Sequence, residues 1–165
     1  MPKVMPRQKP GESVQEVGTP RDFLDAVEKR FGLIGLDLAA NADNHIVPLW
    51  LGPGSPLHGG EDALAPSVSW SGRSLRFLNP PFGDIEPCAA KCATERHHAF
   101  VGMLVPASIG ADWFREHVHG KAFWLALSPR IKFVGHLAPF PRDLIFCLYG
   151  PLVVASGYDC WRWRT

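Results

Sequence analysis

The 165-residue chain is 46% hydrophobic, enough for one domain with a sizeable core. Seventeen basic side chains against sixteen acidic ones leave a net charge of +1, which excludes a protein that holds nucleic acid by bulk positive charge. No secretory leader pattern and no apolar run of transmembrane length occurs, so a soluble cytoplasmic protein without a membrane partner is expected.

The charges are unevenly distributed. Phe31 to Gly72 contains no Lys or Arg but holds Asp37, Asp43, Glu61 and Asp62, whereas from Arg73 onward eleven basic residues face seven acidic ones. An acidic segment for a cation and a mildly basic remainder for a polyanion fit on one enzyme, and a near-neutral total still allows local phosphate contacts. The four cysteines form no Cys-x-x-Cys pair, and the adjacent His97 and His98 complete no finger. Free buried thiols and no metal are therefore expected.

Residues 1–18, with prolines at 2, 6 and 10, read as a loose arm. Thr19 is a good helix cap, Pro20 suits a first turn, and Asp22 approximates a capping box for a helix ending near Arg30. Phe31 to Ala40 reads as a strand with Asp37 near its carboxyl end, and Ala39-Ala40 as a tight turn that leaves room for a ligand. Ile46 to Leu51 reads as a second short strand and residues 52–60 as loop. No Gly-x-Gly-x-x-Gly or Walker pattern appears, so nicotinamide and ATP chemistry are unsupported.

Leu75-Arg76-Phe77-Leu78 reads as a buried strand delivering Asn79-Pro80-Pro81-Phe82 to its carboxyl end. A helix follows from Asp84 to near His98, then a strand at Phe100–Val105, a helix containing Trp113, Phe114 and Val118, and strands at Ala122–Leu127, Arg130–Val134 and Leu144–Tyr149. Strands alternating with helices imply an α/β fold, a mostly parallel sheet with helices on both faces. The catalytic domain is expected over 19–150, with 151–165 as a C-terminal tail.

Asn79-Pro80-Pro81-Phe82 carries the chemistry. Two prolines fix two φ angles and remove two donors, and the residue before each is pushed out of the α region. The loop is stiff and extended, with an amide in front and an aromatic ring behind. The Asn79 side-chain oxygen and the Pro80 carbonyl suit one exocyclic NH2, and Phe82 suits the ring that bears it. A strand's carboxyl end is also where open α/β sheets bind ligands. Pro87-Cys88 is a Pro-Cys pair of the kind used for covalent attack on cytosine, but it falls within a helix, and structural packing is expected of Cys88 and Cys92.

These four residues resemble the (Asp/Asn)-Pro-Pro-aromatic signature of amino-methyltransferases. The resemblance widens to Thr19-Pro20, Leu36-Asp37-Leu38-Ala39-Ala40, Asn44, Asp62-Ala63-Leu64, Trp70, Val105-Pro106, Trp113-Phe114 and Arg130-Ile131-Lys132-Phe133. In that order they resemble the phage-type DNA N6-adenine methyltransferases, from about Thr19 to Tyr149. The resemblance implies a class I methyltransferase (Rossmann-like) fold, S-adenosylmethionine as cofactor, no metal, DNA as partner, and a phage or prophage origin in a bacterial cytoplasm. It implies catalytic roles for Asn79, Pro80, Pro81 and Phe82, and cofactor roles for Asp37, Ala39, Asp62, Thr19 and Pro20. Contacts to DNA are expected from Arg73, Arg130, Lys132 and Arg142. Phe82 replaces the commoner tyrosine, and the Asp37 loop lacks the glycine-rich form of larger DNA methyltransferases. The same loop also serves cytosine N4, RNA or a glutamine amide, and a DNA-binding protein with an inactive methyltransferase fold is a further alternative.

Overall fold

The computed structural model describes residues 18–165. The expected arm therefore lies outside the described residues, Gly18 excepted. Three helices, α1 (Arg21–Phe31), α2 (Glu86–Glu95) and α3 (Asp112–His117), accompany six strands. These are β1 (Ile34–Asp37), β2 (Gly72–Leu78), β3 (Ala99–Pro106), β4 (Phe123–Ser128), β5 (Leu144–Tyr149) and β6 (Tyr158–Arg162). They form one sheet in the order β1-β2-β3-β5-β4-β6, in which β5 runs antiparallel to both of its neighbours. The other pairings are parallel. The expected α/β architecture is present, with a mixed, mostly parallel sheet of Rossmann-like type.

Alternation along the strands divides the core into two layers. Val101, Met103 and Val105 of β3 and Ile145, Cys147 and Tyr149 of β5 join Cys88, Ala89 and Cys92 of α2 and Phe114 of α3 on one face. Leu104, Phe146 and Leu148 join Leu75, Phe77 and the α1 residues Phe23, Leu24 and Val27 on the other. Helices thus cover both faces, as expected. Gly102 makes the second layer possible, because a Cβ there would sit 2.2 Å from the Phe146 ring.

Several elements depart from expectation. The N-cap of α1 is Pro20, whose carbonyl accepts from the Phe23 and Leu24 amides at 3.1 and 3.2 Å. Thr19 does not cap, since its hydroxyl is engaged elsewhere, and the Asp22 carboxylate turns to the adjacent Phe23 amide. Phe31 ends α1 rather than starting β1. Ile46 to Leu51 reduces to a single bridge between Asp37 and Trp50, in which the Asp37 amide donates to Leu49 O at 3.1 Å and the Leu51 amide to Asp37 O at 2.8 Å. Arg130–Val134 keeps a strand-like alternation, with Ile131 and Phe133 buried, but forms no strand. Its backbone instead closes a loop, Phe140 N–H donating to Ile131 O at 2.8 Å and Val134 N–H to Gly18 O at 2.9 Å.

The expected tail holds a strand. β6 adds parallel to β4, and Trp161 and Trp163 enter the core beside α1. Trp163 lies edge-on to Phe23 at 5.2 Å, and its indole N–H donates to Pro129 O at 2.6 Å. Arg30 of α1 lies over the Trp161 ring at 5.1 Å, and Arg164 pairs with Asp22. Trp161→Ala should therefore destabilise the whole domain by about 3–5 kcal/mol. Denaturant unfolding checks this, and a loss under 1 kcal/mol would show that β6 adds little to the core.

Candidate active site at the carboxyl edge of the sheet

β1, β2, β3 and β4 all point their carboxyl ends to one edge, and the antiparallel β5 starts there. Loops 38–71, 79–85, 107–111 and 129–143 consequently converge on that edge. A cavity of about 340 Å³ opens among the first two of these loops. Ala39, Asp62, Asn79 and Pro81 line it together, with Leu38, Leu51 and Leu78 as apolar wall and Glu61 beside Asp62. Asp37, Thr19, Pro20, Pro80 and Phe82 stand outside this lining.

Asp37 is a brace. It is buried, and its carboxylate accepts from the Ala39 and Ile46 amides at 3.2 and 3.1 Å. Burial pushes its pKa up, against the opposing pull of those two amides and of His45. The loop that follows is pinned by short side chains. Asn44 Oδ1 accepts from the Asn41 amide at 2.8 Å, and Asn41 Oδ1 accepts from the Asp43 amide at 2.8 Å. Gly52 closes it from the far side. With φ of 133°, it lies so near that a Cβ would be 1.9 Å from Ala40 O. Only glycine permits so close an approach of the two backbone segments.

The second wall is hung from α2. Lys91 Nζ donates to Ala65 O and Val68 O at 3.1 and 2.6 Å and pairs with the buried Glu95 at 3.3 Å. Glu95 in turn accepts from the Trp70 amide at 3.0 Å and meets His98 Nε2 at 2.8 Å. The Trp70 indole N–H donates to Ala63 O at 3.1 Å, one residue past Asp62. Sequence reasoning singled out Trp70 but missed Lys91 and Glu95. Their spacing of four on a helix was the available signal.

Asn79 leaves β2 into the cavity, and its Nδ2 donates to Thr19 Oγ1 at 3.2 Å. Thr19, expected near the cofactor, lies 60 positions away in the chain and is a partner of this amide, which lines the cavity. That contact turns Oδ1, an acceptor only, away from Thr19. Pro80 is buried, and Phe82 is half-buried with its ring 5.3 Å from Phe140 and 6.1 Å from Phe133. Cys88 also lines the cavity, but burial and the nearby Asp84 push its thiol up to about 11, which does not suit covalent attack.

The expected DNA contacts divide. Arg73 is at the start of β2, about 20 Å of strand from Asn79 and on the opposite edge. It lines a separate apolar cavity there with Phe100 and Leu152. Arg130 is on the correct edge, but its guanidinium pairs with Asp143 at 2.9 Å and donates to Pro141 O at 3.2 Å, closing its own loop. Lys132 and Arg142 are exposed on that same loop. No helix among the described residues is long and apolar enough to cross a membrane.

A family model described as DNA N-6-adenine-methyltransferase (Dam) matches residues 9–138, most of the chain. No curated protein matches it. The cavity suits the S-adenosylmethionine such enzymes use: apolar walls, small side chains at Ala39, Ala40 and Gly52, and two carboxylates for a cation. Trp70→Phe keeps an aromatic ring in place but removes the donor to Ala63 O. It should weaken S-adenosylmethionine binding about two- to tenfold in calorimetric titration while the domain stays folded. Unchanged affinity would show that the Asp62 loop is held without Trp70.

Proposed function

The chain belongs to the DNA N6-adenine methyltransferase (Dam) family, enzymes that methylate the exocyclic amine of adenine in DNA with S-adenosylmethionine, and from that premise we propose how its residues divide the work. Asn79 holds the target amine, Phe82 backs the adenine ring, and Ala39 and Asp62 hold the cofactor. The observation that carries this reading is the cavity shared by Asn79, Pro81, Ala39 and Asp62. A methyl acceptor at Asn79 is thereby next to whatever the cofactor loops hold.

The cofactor supplies a methyl group already activated by a sulfonium, so no metal is needed. The target nitrogen is the harder partner, because its lone pair is delocalised into the purine. Asn79 Oδ1 and the Pro80 carbonyl accept its two N–H groups and favour a more tetrahedral nitrogen. Thr19 Oγ1, accepting from Asn79 Nδ2, helps to hold the amide in place beside the amine. The two prolines hold both acceptors with little reorganisation, the condition under which such contacts count most. Phe82, held edge-on by Phe133 and Phe140, offsets part of the cost of unstacking the adenine. Phenylalanine keeps the stacking face of the commoner tyrosine and loses only the hydroxyl.

Asp37 acts indirectly here, by shaping the Ala39 turn, and Pro20 by starting α1 directly after Thr19. Lys132 and Arg142 meet phosphate, Arg130 keeps their loop in shape, and Arg73 is too distant to take part. The setting is a bacterial cytoplasm, with the gene carried by a phage or prophage.

Modified-base sequencing of DNA from a host without adenine methylation, expressing the protein, tests the reading. N6-methyladenine in one sequence context is expected. Asn79→Ala should lower single-turnover methylation by on the order of a hundredfold, with cofactor affinity little changed. Methylation confined to cytosine, or wild-type rates from folded Asn79→Ala, would contradict it.

A further inference from the structure

The loop between β4 and β5 carries a feature that neither cofactor binding nor amine capture uses. Its tip bears Val134 at 61% exposure and Leu137 at 98%. The other exposed large apolar side chains on this edge, Ile109 at 58%, Leu49 at 46% and Leu64 at 37%, are less bare. Exposure alone decides nothing, because Leu152 is 97% exposed at the opposite edge. The difference lies in what the loop is attached to.

The base of the loop is stiff. Phe140 N–H donates to Ile131 O at 2.8 Å, and His136 N–H to Phe133 O at 3.2 Å. Ile131 and Phe133 are buried, while Phe133 and Phe140 both pack against Phe82 of the Asn79 loop. Val134 N–H reaches Gly18 O, the residue next to Thr19, which accepts from Asn79. The tip is therefore fixed to the ring and to the amide that meet the target base. Lys132 and Arg142 flank it with positive charge, while Arg130 and Asp143 on the same loop pair with one another.

We propose that Leu137 is a wedge that enters the DNA duplex as the target adenine leaves it. This rests on the assignment of Asn79 and Phe82 to that adenine. An extruded base leaves a gap in the stack, and closure of that gap by the orphaned neighbours opposes extrusion. An apolar side chain inserted between base steps blocks that closure and gains burial in doing so. A bare leucine costs solvation in the unbound protein, and the duplex interior is the surface that would cover it. The wedge and the Phe82 ring share one aromatic mounting, so insertion and capture occur at a fixed separation. Leu137 is thus a positioning residue: it acts on the duplex, not on the amine.

The test compares two substrates carrying the methylated sequence. One is an intact duplex, and the other has an abasic site opposite the target, so that the adenine is already unpaired. Leu137→Ala should slow single-turnover methylation of the intact duplex by on the order of tenfold or more, and the abasic duplex should recover most of that loss. Leu137→Met, similar in volume, should remain near wild type on both. With 2-aminopurine as the target base, the fluorescence rise on binding intact duplex should shrink for Leu137→Ala. Equal losses on both substrates, or no loss on either, overturn the wedge. Failure of the Asn79 assignment has a different signature, a folded Asn79→Ala protein that methylates both substrates at the wild-type rate.

Discussion

One hydrogen bond ties the reactive end of this molecule together, from Asn79 Nδ2 to Thr19 Oγ1 at 3.2 Å. A side-chain amide presents a donor at one end and an acceptor at the other, and the two are nearly identical in shape. A partner at a fixed position limits how the amide can turn. Thr19 supplies that partner, and it is itself fixed, because the chain turns into α1 at Pro20 and the α1 face is buried by Phe23, Leu24 and Val27. The packing of α1 against the sheet, reinforced by Trp161 of β6 and Trp163 just after it, thereby reaches Asn79. A residue 60 positions away in sequence becomes part of how the loop works.

The same economy governs the cofactor side. A 34-residue connection between β1 and β2 has almost no regular structure of its own, yet it must present small residues and carboxylates to one cavity. It is held at two places. Asp37 gathers the first turn from a buried position, accepting the cost of a carboxylate whose pKa burial has raised. Lys91 and Glu95 gather the second turn from α2 through backbone carbonyls and the Trp70 amide. Both anchors are hydrogen bonds within the chain itself, so the two walls of the cavity are held in a fixed relation. That is the condition for electrostatic and positional effects to lower a barrier without reorganisation.

Much of this was legible in the residues. The buried run before Asn79, the double proline and the aromatic after it place a stiff acceptor loop at a strand end, and that is where the loop is. Leu144–Tyr149 shows a strand through composition alone, and it is one. What could not be read is of two kinds. Arg130–Val134 alternates like a strand because Ile131 and Phe133 are buried, but burial at every second residue needs no ladder, and its amides and carbonyls go to Gly18 and Phe140. Tyr158–Arg162 is too short and polar to announce itself, and becomes a strand because β4 offers it an edge. Thr19 and Arg73 illustrate the same limit for site residues. Their sequence neighbours suggest a cap and a phosphate contact, whereas topology takes the first to Asn79 and the second to the far edge of the sheet.

The central claim is that Thr19 acts through Asn79 by holding its amide in place. A double-mutant cycle in single-turnover methyl transfer tests it directly, with Thr19→Val, Asn79→Ala and the pair, each checked for folding and cofactor affinity. Thr19→Val should slow the reaction when Asn79 is present and should cost almost nothing further when Asn79 is already alanine. Independent, additive losses from the two substitutions would contradict the account.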